Sequence, residues 1–342
     1  MSRLPRFSPI LILALILLLL LFPAHEAAAL TTCSASSTPL AFGPTAGTAS
    51  TDTTATVTIT CNTTAVSLLS TVRVRMCLNI GDGADGAGQF APRRMVNGFG
   101  DPMQFQIYRD AARSQIWGSN TIPAIPTPLP IDLQYSVVVI GGGDNASATM
   151  FARVPVQTGL ASGNFSNAFS GTHTRLDYRY NEQLIGTPNY PASCTTGGIG
   201  GGNAAFPFTA TASVPNHCLF NTVTNLAFSN VVGSISANQD QTSTIGLTCT
   251  NHTPWQLGLN NGQNAVGNVR RMRLGATSNY VNYELYRNAG RNLRWGNTLD
   301  TDTLTGTGSG LTQTIDVFGR VPPPQTVPAG NYKDVITVTM TF

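Results

Sequence analysis

The residues with the sharpest chemistry in this chain are its cysteines and histidines. Cys33, Cys61, Cys77, Cys194, Cys218 and Cys249 are even in number, and no two are spaced Cys-x-x-Cys. Such a set points to disulfides formed in an oxidising compartment, and away from a redox dithiol or a zinc site. His173, His217 and His252 stand far apart with no ligand spacing between them. A catalytic centre needs a nucleophile, base or metal constellation, so no catalytic residue, metal or cofactor is expected. Asp82 and Asp85 in Gly-Asp-Gly-Ala-Asp-Gly loosely follow a calcium loop but depart from the EF-hand spacing. Gly200, Gly201 and Gly202 open no helix, so they form no phosphate cradle. The chain reads as a non-enzyme.

The N-terminus explains the compartment. Arg3 and Arg6 precede an apolar run over residues 10–22, followed by Ala27-Ala28-Ala29. This is the pattern of a secretory signal peptide over residues 1–29. Thirteen apolar residues in a helix span about 20 Å, short of the roughly 30 Å hydrocarbon core, which disfavours a membrane anchor. Charged residues make up only 10% of the chain and the formal net charge is +3, against about a quarter charged in ordinary globular proteins. No basic stripe is present, so nucleic acid is excluded as a partner. Threonine, serine, asparagine and glycine cover the surface instead, which suits packing into an assembly or lying against a solid.

An internal repeat sets the architecture. The pair Cys33/Cys61 recurs as Cys218/Cys249, each second cysteine closing an alternating strand (residues 56–61 and 244–249). Arg93-Arg94-Met95 recurs as Arg270-Arg271-Met272, and Tyr108-Arg109 as Tyr286-Arg287. Trp117-Gly118 recurs as Trp295-Gly296, and Arg153-Val154-Pro155 as Arg320-Val321-Pro322. Gly163-Asn164-Phe165 returns as Gly330-Asn331-Tyr332. So ordered a series means two copies of one domain. Each copy alternates short β-rich runs with Gly, Pro, Asn and Asp clusters and lacks sustained helical periodicity, which predicts an all-β sandwich. The repeat suggests Cys33–Cys61 and Cys218–Cys249 as equivalent bridges and leaves Cys77–Cys194 to the first copy. Gly258 is aligned with Cys77 in the second copy.

These cysteine-bounded strands, the Tyr-Arg to Trp-Gly spacing and the terminal Gly-Asn-Tyr-x-Asp-x-Ile-x-Val run resemble the spore coat protein U domain family, which includes subunits of archaic (Csu-type) chaperone–usher pili. The resemblance covers nearly all of the chain after the leader, twice. It implies two tandem immunoglobulin-like β-sandwich domains, over residues 30–214 and 215–342, the second lacking its final strand. It also implies the partners: a periplasmic pilus chaperone, an outer-membrane usher and a next pilus subunit that donates a strand.

The chain ends lead to a tip subunit. Only Leu30-Thr31-Thr32 would precede Cys33 after cleavage, too few to donate a strand to a neighbour. Between the copies, Phe206, Phe208, Ala210, Ala212 and Val214 alternate in a donor-like segment expected to complete the first domain. The second copy finishes on alternating Ile336, Val338, Met340 and Phe342 with no further strand, so these residues are expected to line a groove for the chaperone or the next subunit. The expected function is a tip adhesin in attachment and biofilm formation, the alternative being a non-adhesive structural fibre or coat subunit.

Three apolar segments of the first copy are candidates for touching an abiotic or host surface. The first copy has 34 residues between Trp117 and Phe151 where the second has 23 between Trp295 and Phe318. The excess is attributed to a proline-stiffened loop bearing Ile122, Pro123, Ile125, Pro126 and Leu129. Val139 and Ile140, before three glycines, form the second candidate. Phe90 and Phe99, in the loop over residues 81–101, form the third.

Overall fold

The computed structural model describes residues 30–64, 69–139 and 141–342; the expected leader and Ile140 lie outside them. Strands form where threonine alternates with apolar side chains. In β3 (Thr51–Thr64), Ala55, Val57, Ile59 and Cys61 point inward while Thr54, Thr56 and Thr58 face solvent.

The first copy begins with β1 (Leu30–Ser37) and β2 (Leu40–Pro44), then β3, β4 (Leu69–Ile80), β5 (Arg93–Val96) and β6 (Pro102–Tyr108). It continues with β7 (Leu129–Val138), β8 (Gly142–Val154), β9 (Gly163–Phe169), β10 (Thr174–Gln183), β11 (Gly200–Ala204) and β12 (Phe208–Val214). One sheet runs β1-β3-β8-β6-β5-β9-β12-β2 and the facing sheet β11-β10-β4-β7. The second copy comprises β13 (Cys218–Val223), β14 (Gln239–Cys249), β15 (Pro254–Leu259), β16 (Arg270–Leu274) and β17 (Tyr280–Tyr286). Then come β18 (Leu304–Thr307), β19 (Thr312–Val321), β20 (Tyr332–Lys333) and β21 (Val338–Thr341). Its sheets run β13-β14-β19-β17-β16-β20 and β18-β15-β21. These are two tandem immunoglobulin-like sandwiches with separate cores, one drawn from residues between Cys33 and Val214, the other from Cys218 onward.

The repeated motifs occupy equivalent places. Trp117 Nε1 donates to Leu78 O and Trp295 Nε1 to Leu257 O, each at 2.8 Å. Both tryptophans are fully buried. Arg93 and Arg270, also fully buried, thread the two sheets together. Arg93 donates to Gly81 O (2.6 Å), Ile80 O (2.9 Å), Trp117 O (2.7 Å) and Gln106 Oε1. Arg270 donates to Asn260 O, Leu259 O and Trp295 O and pairs with Glu284. Burial pulls the pKa of both guanidiniums down, and Glu284 opposes that pull on Arg270. On the outer face Arg153 pairs with Asp52 and Arg320 with Asp240, each carboxyl held below its ordinary pKa by that hydrogen bond.

All three disulfides form as the repeat suggested: Cys33–Cys61, Cys77–Cys194 and Cys218–Cys249. The alignment of Gly258 with Cys77 is corrected. Because Leu78 and Leu257 both receive the tryptophan N–H, Gln256 occupies the place of Cys77 and Gly258 that of Asn79. Spacing from the preceding cysteine misleads here, because Cys61 and Leu78 are 17 residues apart and Cys249 and Leu257 only eight.

The two domains meet end to end. Ala161 bridges to Asn251, and Ser162 N donates to Asn251 O at 2.8 Å. His252 Nε2 lies 3.0 Å from Asp101 Oδ2, and its ring stacks on Phe99 with centroids 4.1 Å apart. Phe99, a proposed surface contact, is thus 67% exposed yet spent on the joint. Replacing Phe99 by alanine is expected to weaken the joint by about 1 kcal/mol, the usual worth of such a stack. Both domains should stay folded while NMR relaxation reports more independent tumbling; unchanged relaxation would show the stack to be idle.

Candidate functional site

Two features of the surface call for a partner. The first is an open edge in the second domain, measured against the closed first domain. β12 lies antiparallel to β9, pairing Phe208↔Phe169 through Val214↔Gly163, and parallel to β2. β11 pairs with β10, Leu176↔Ala204 to Tyr180↔Gly200. Residues 200–214 therefore give each sheet a strand, β11 at the edge of one and β12 between β9 and β2 in the other. Phe206, Phe208, Ala210, Ala212 and Val214 are all buried, and Phe208 stacks on Phe169 with centroids 4.6 Å apart.

In the second domain β20 corresponds to β9 and β21 to β10. Among the described residues β20 pairs with β16 and has no strand on its other side, and β21 pairs only with β15. The effect on burial is direct. Val338 and Met340 stand where Thr174 and Leu176 do, and Phe342 follows in the place of Tyr178. Tyr178 is 6% exposed and Phe342 49%. Ile336, Val338 and Met340 are half-buried against the core, the last two on the inner side of a strand paired on one edge alone among the described residues. Trp255, at the position of Met76, leaves its buried Nε1 without an acceptor.

The second feature is an apolar end on the first domain. β4, β7 and β10 run well past the point where β15, β18 and β21 stop. Arg75↔Asp132 corresponds to Pro254↔Thr307, but β4 and β7 continue six residues further, to Leu69↔Val138. That is about 20 Å of extra sheet. The excess length between tryptophan and phenylalanine therefore sits chiefly in the β7–β8 hairpin. Ile131 takes the place of Gly306, 14 residues after Trp117 against 11 after Trp295, so the proline segment adds only three.

At this end Leu69, Val138, Val139, Leu184 and Ile185 are all exposed, Ile185 by 88%. Val138 and Gly141 exchange both backbone hydrogen bonds, and only two residues separate them in the sequence. Two-residue hairpin turns favour Asn-Gly or Asp-Gly. Val139 is instead β-branched with φ +43° and 63% exposed, a strained choice that packing does not explain.

A strap over residues 184–199 holds the adjoining turn. Cys194 is bonded to Cys77, Arg73 and Arg75 donate to Pro188 O and Pro191 O, and Tyr190 lies against both guanidiniums. Leu184 and Ile185 have no counterpart among the expected contacts. The unpaired length of chain between β10 and the Cys194 bridge was the signal that could have found them.

The other proposed contacts do not join this end. Ile125 is buried, its carbonyl accepting from Ser119 N, and Leu129 opens β7 against the core. Ile122 and Phe90 are half-buried, while Pro123 and Pro126 are exposed. Phe90 and Ile125 line a shallow depression of about 340 Å³ near the far end of β4 from Leu69. The three segments are thus dispersed; among their described residues only Val139 stands at the extended end.

Among the described residues no group of three or more His, Cys, Asp or Glu could hold a metal, and no helix is long and apolar enough to cross a membrane.

Residues 19–172 and 204–339 match the sequence model of the Spore Coat Protein U domain. Protein U of Myxococcus xanthus is 42% identical over 81 residues, 24% of this chain and 45% of that protein. Less than half the length of that relative is therefore spanned. Among solved structures, the CsuC–CsuE chaperone–tip subunit complex from the archaic Csu pili of Acinetobacter baumannii aligns over 91% of this chain and all of that chain, at 14% identity and a TM-score of 0.43. The CupB6 tip adhesin of Pseudomonas aeruginosa aligns over 92% and 95%, at 11% identity and a TM-score of 0.29.

Proposed function

The chain belongs to the Spore Coat Protein U domain family, and from that premise we propose that it is the adhesive tip subunit of a chaperone–usher pilus. The observation that carries this reading is the contrast between the copies: residues 200–214 close the first domain, and nothing described closes the second. A subunit of this kind takes a strand from a periplasmic chaperone, passes through an outer-membrane usher, and then takes a strand from the next subunit. Filling the places of Phe206, Phe208, Ala210, Ala212 and Val214 is worth roughly 6–10 kcal/mol by apolar burial. A whole domain is stable by only about 5–15 kcal/mol, so the second domain alone is marginal.

The test is co-production of the chain with a pilus chaperone. A soluble one-to-one complex is expected, together with an isolated chain whose second domain exchanges its amides rapidly. A lone chain with both sandwiches equally protected would sink the reading.

The extended apolar end is the proposed adhesive surface, for abiotic material or a host surface. It carries exposed side chains on three neighbouring segments and lies opposite the joint. From Thr51↔Val154 to Thr63↔Gly142, β3 and β8 run twelve residues, about 40 Å, away from the segment that meets Asn251. Substituting Val139, Leu69 or Ile185 by aspartate is expected to lower attachment to plastic at least tenfold with melting unchanged. Val139→Gly should relieve the positive φ, stabilise the first domain by about 1 kcal/mol, and still weaken attachment. Attachment as strong as the parent's in all four variants would leave the non-adhesive fibre or coat subunit as the better reading.

A further inference from the structure

The rim of the open edge carries charge that the closed domain lacks. β16 and β20 pair at Arg273↔Lys333, and the corresponding pair in the first domain is Val96↔Ser166. Two cations directly opposite on one sheet face repel each other. Arg271, two residues back, lies on the same face and stacks with Arg273 on Tyr280. Arg273 spends its donors on Thr277 O and Ala276 O, and Arg271 its Nε on Asn264 O. The nearby Asp334 carboxylate is occupied by Tyr283, Gln263 and Asn264. No carboxylate pairs with Arg271, Arg273 or Lys333 among the described residues.

The first domain shows what would face Lys333. Ser166, its counterpart, pairs on its far side with Thr211 of β12. The strand that fills the second domain, running antiparallel to β20 as β12 runs to β9, therefore sets one outward side chain beside Lys333 and one strand away from Arg273.

We propose that this side chain is an aspartate or glutamate: the cation pair fixes the register and choice of the incoming strand. This rests on the strand-acceptor reading above and adds its chemistry. The strand is apolar on its inner face, in the order set by Phe206, Phe208, Ala210, Ala212 and Val214, and acidic at the position of Thr211. A one-residue slip would turn the acid inward and the apolar set outward, so the charge and the pockets enforce the same register.

The experiment uses the chain over residues 30–342 and three synthetic peptides with the sequence of residues 203–215, carrying threonine, aspartate or lysine at the position of Thr211. Binding is read by fluorescence anisotropy at low salt and in roughly 0.5 M salt, where the Debye length falls to a few ångströms. The aspartate peptide should bind about tenfold more tightly than the lysine peptide, a gap of about 1.4 kcal/mol, and the gap should narrow in high salt. Lys333→Glu should reverse the order, and Lys333→Gln should shrink the preference if the reversed variant folds poorly. Equal affinities for the three peptides would overturn the charge proposal while leaving the acceptor groove standing. Failure of every peptide to bind a folded chain would overturn the groove itself, and the proposal with it.

Discussion

Replacing Arg93 by alanine is expected to abolish folding of the first domain, a loss of more than about 4 kcal/mol. The side chain is wholly buried and holds the carbonyls of Gly81, Ile80 and Trp117 and the amide oxygen of Gln106. Each acceptor left dry costs about 1–3 kcal/mol, before the cavity is counted. Lysine should rescue little, because a single ammonium cannot reach acceptors arranged for a planar fork. The second domain offers an internal control. Glu284 sits where Gln106 does, paired with Arg320 of β19 as Gln106 is with Arg153 of β8, and Gln106 demonstrates that a neutral amide can serve. Glu284→Gln should therefore cost only about 1 kcal/mol, through the weakened contacts to Arg270 and Arg294. Urea unfolding followed by tryptophan fluorescence separates these outcomes. A first domain that tolerates alanine at Arg93 would mean that the carbonyls find other donors.

Phe208→Ala and Met340→Ala should differ widely in cost, although both replace inward-facing side chains of equivalent sandwiches. Phe208 is buried and stacked on Phe169, in a strand held between β9 and β2. Its loss should cost about 3–5 kcal/mol. Met340 is half-exposed, and its truncation in the chain alone should cost under about 1 kcal/mol. Once a complementing strand is fused after Phe342 through a short glycine–serine linker, the same Met340→Ala change should cost about 2–4 kcal/mol. Melting curves for the parent, the two variants, the strand-fused parent and its Met340→Ala variant give the comparison. If Met340→Ala costs the same with and without the added strand, the side chain does not lie in the groove.

Much of this was legible in the residues. Alternation in residues 56–61 and 244–249 fixes which faces are buried, and the recurring arginine, tryptophan and glycine motifs fall where two copies of one domain place them. The half-buried Ile336, Val338 and Met340 follow from the same reasoning, since an alternating strand with one partner covers only part of its inner face. What sequence spacing could not give was the location of the inserted length. Proline drew attention to residues 122–130, yet a strand pair lengthens without any compositional mark, and the hairpin carrying Val139 holds most of the insertion. Phe99 looked free because its loop is polar and glycine-rich; its partner, His252, lies in the other copy, a contact no local pattern encodes. Leu184 and Ile185 were missed for a related reason. Their position depends on the strap pinned by Cys194, and a disulfide across 117 residues leaves no local periodicity to detect.

The ladder between β12 and β9 has a mechanical meaning. A pull applied at Val139 or Ile185 leaves the first domain through Val214, at the opposite end, so tension runs along the strands. The seven residue pairs from Phe208↔Phe169 to Val214↔Gly163 are then sheared together, and cannot be unzipped one at a time. Beyond Val214 only residues 215–217 separate the two sandwiches, at most about 11 Å of slack. Resistance to such a pull is set by an unfolding rate, not by equilibrium stability, and the Cys33–Cys61 and Cys77–Cys194 bridges shorten what can be drawn out if the first domain yields.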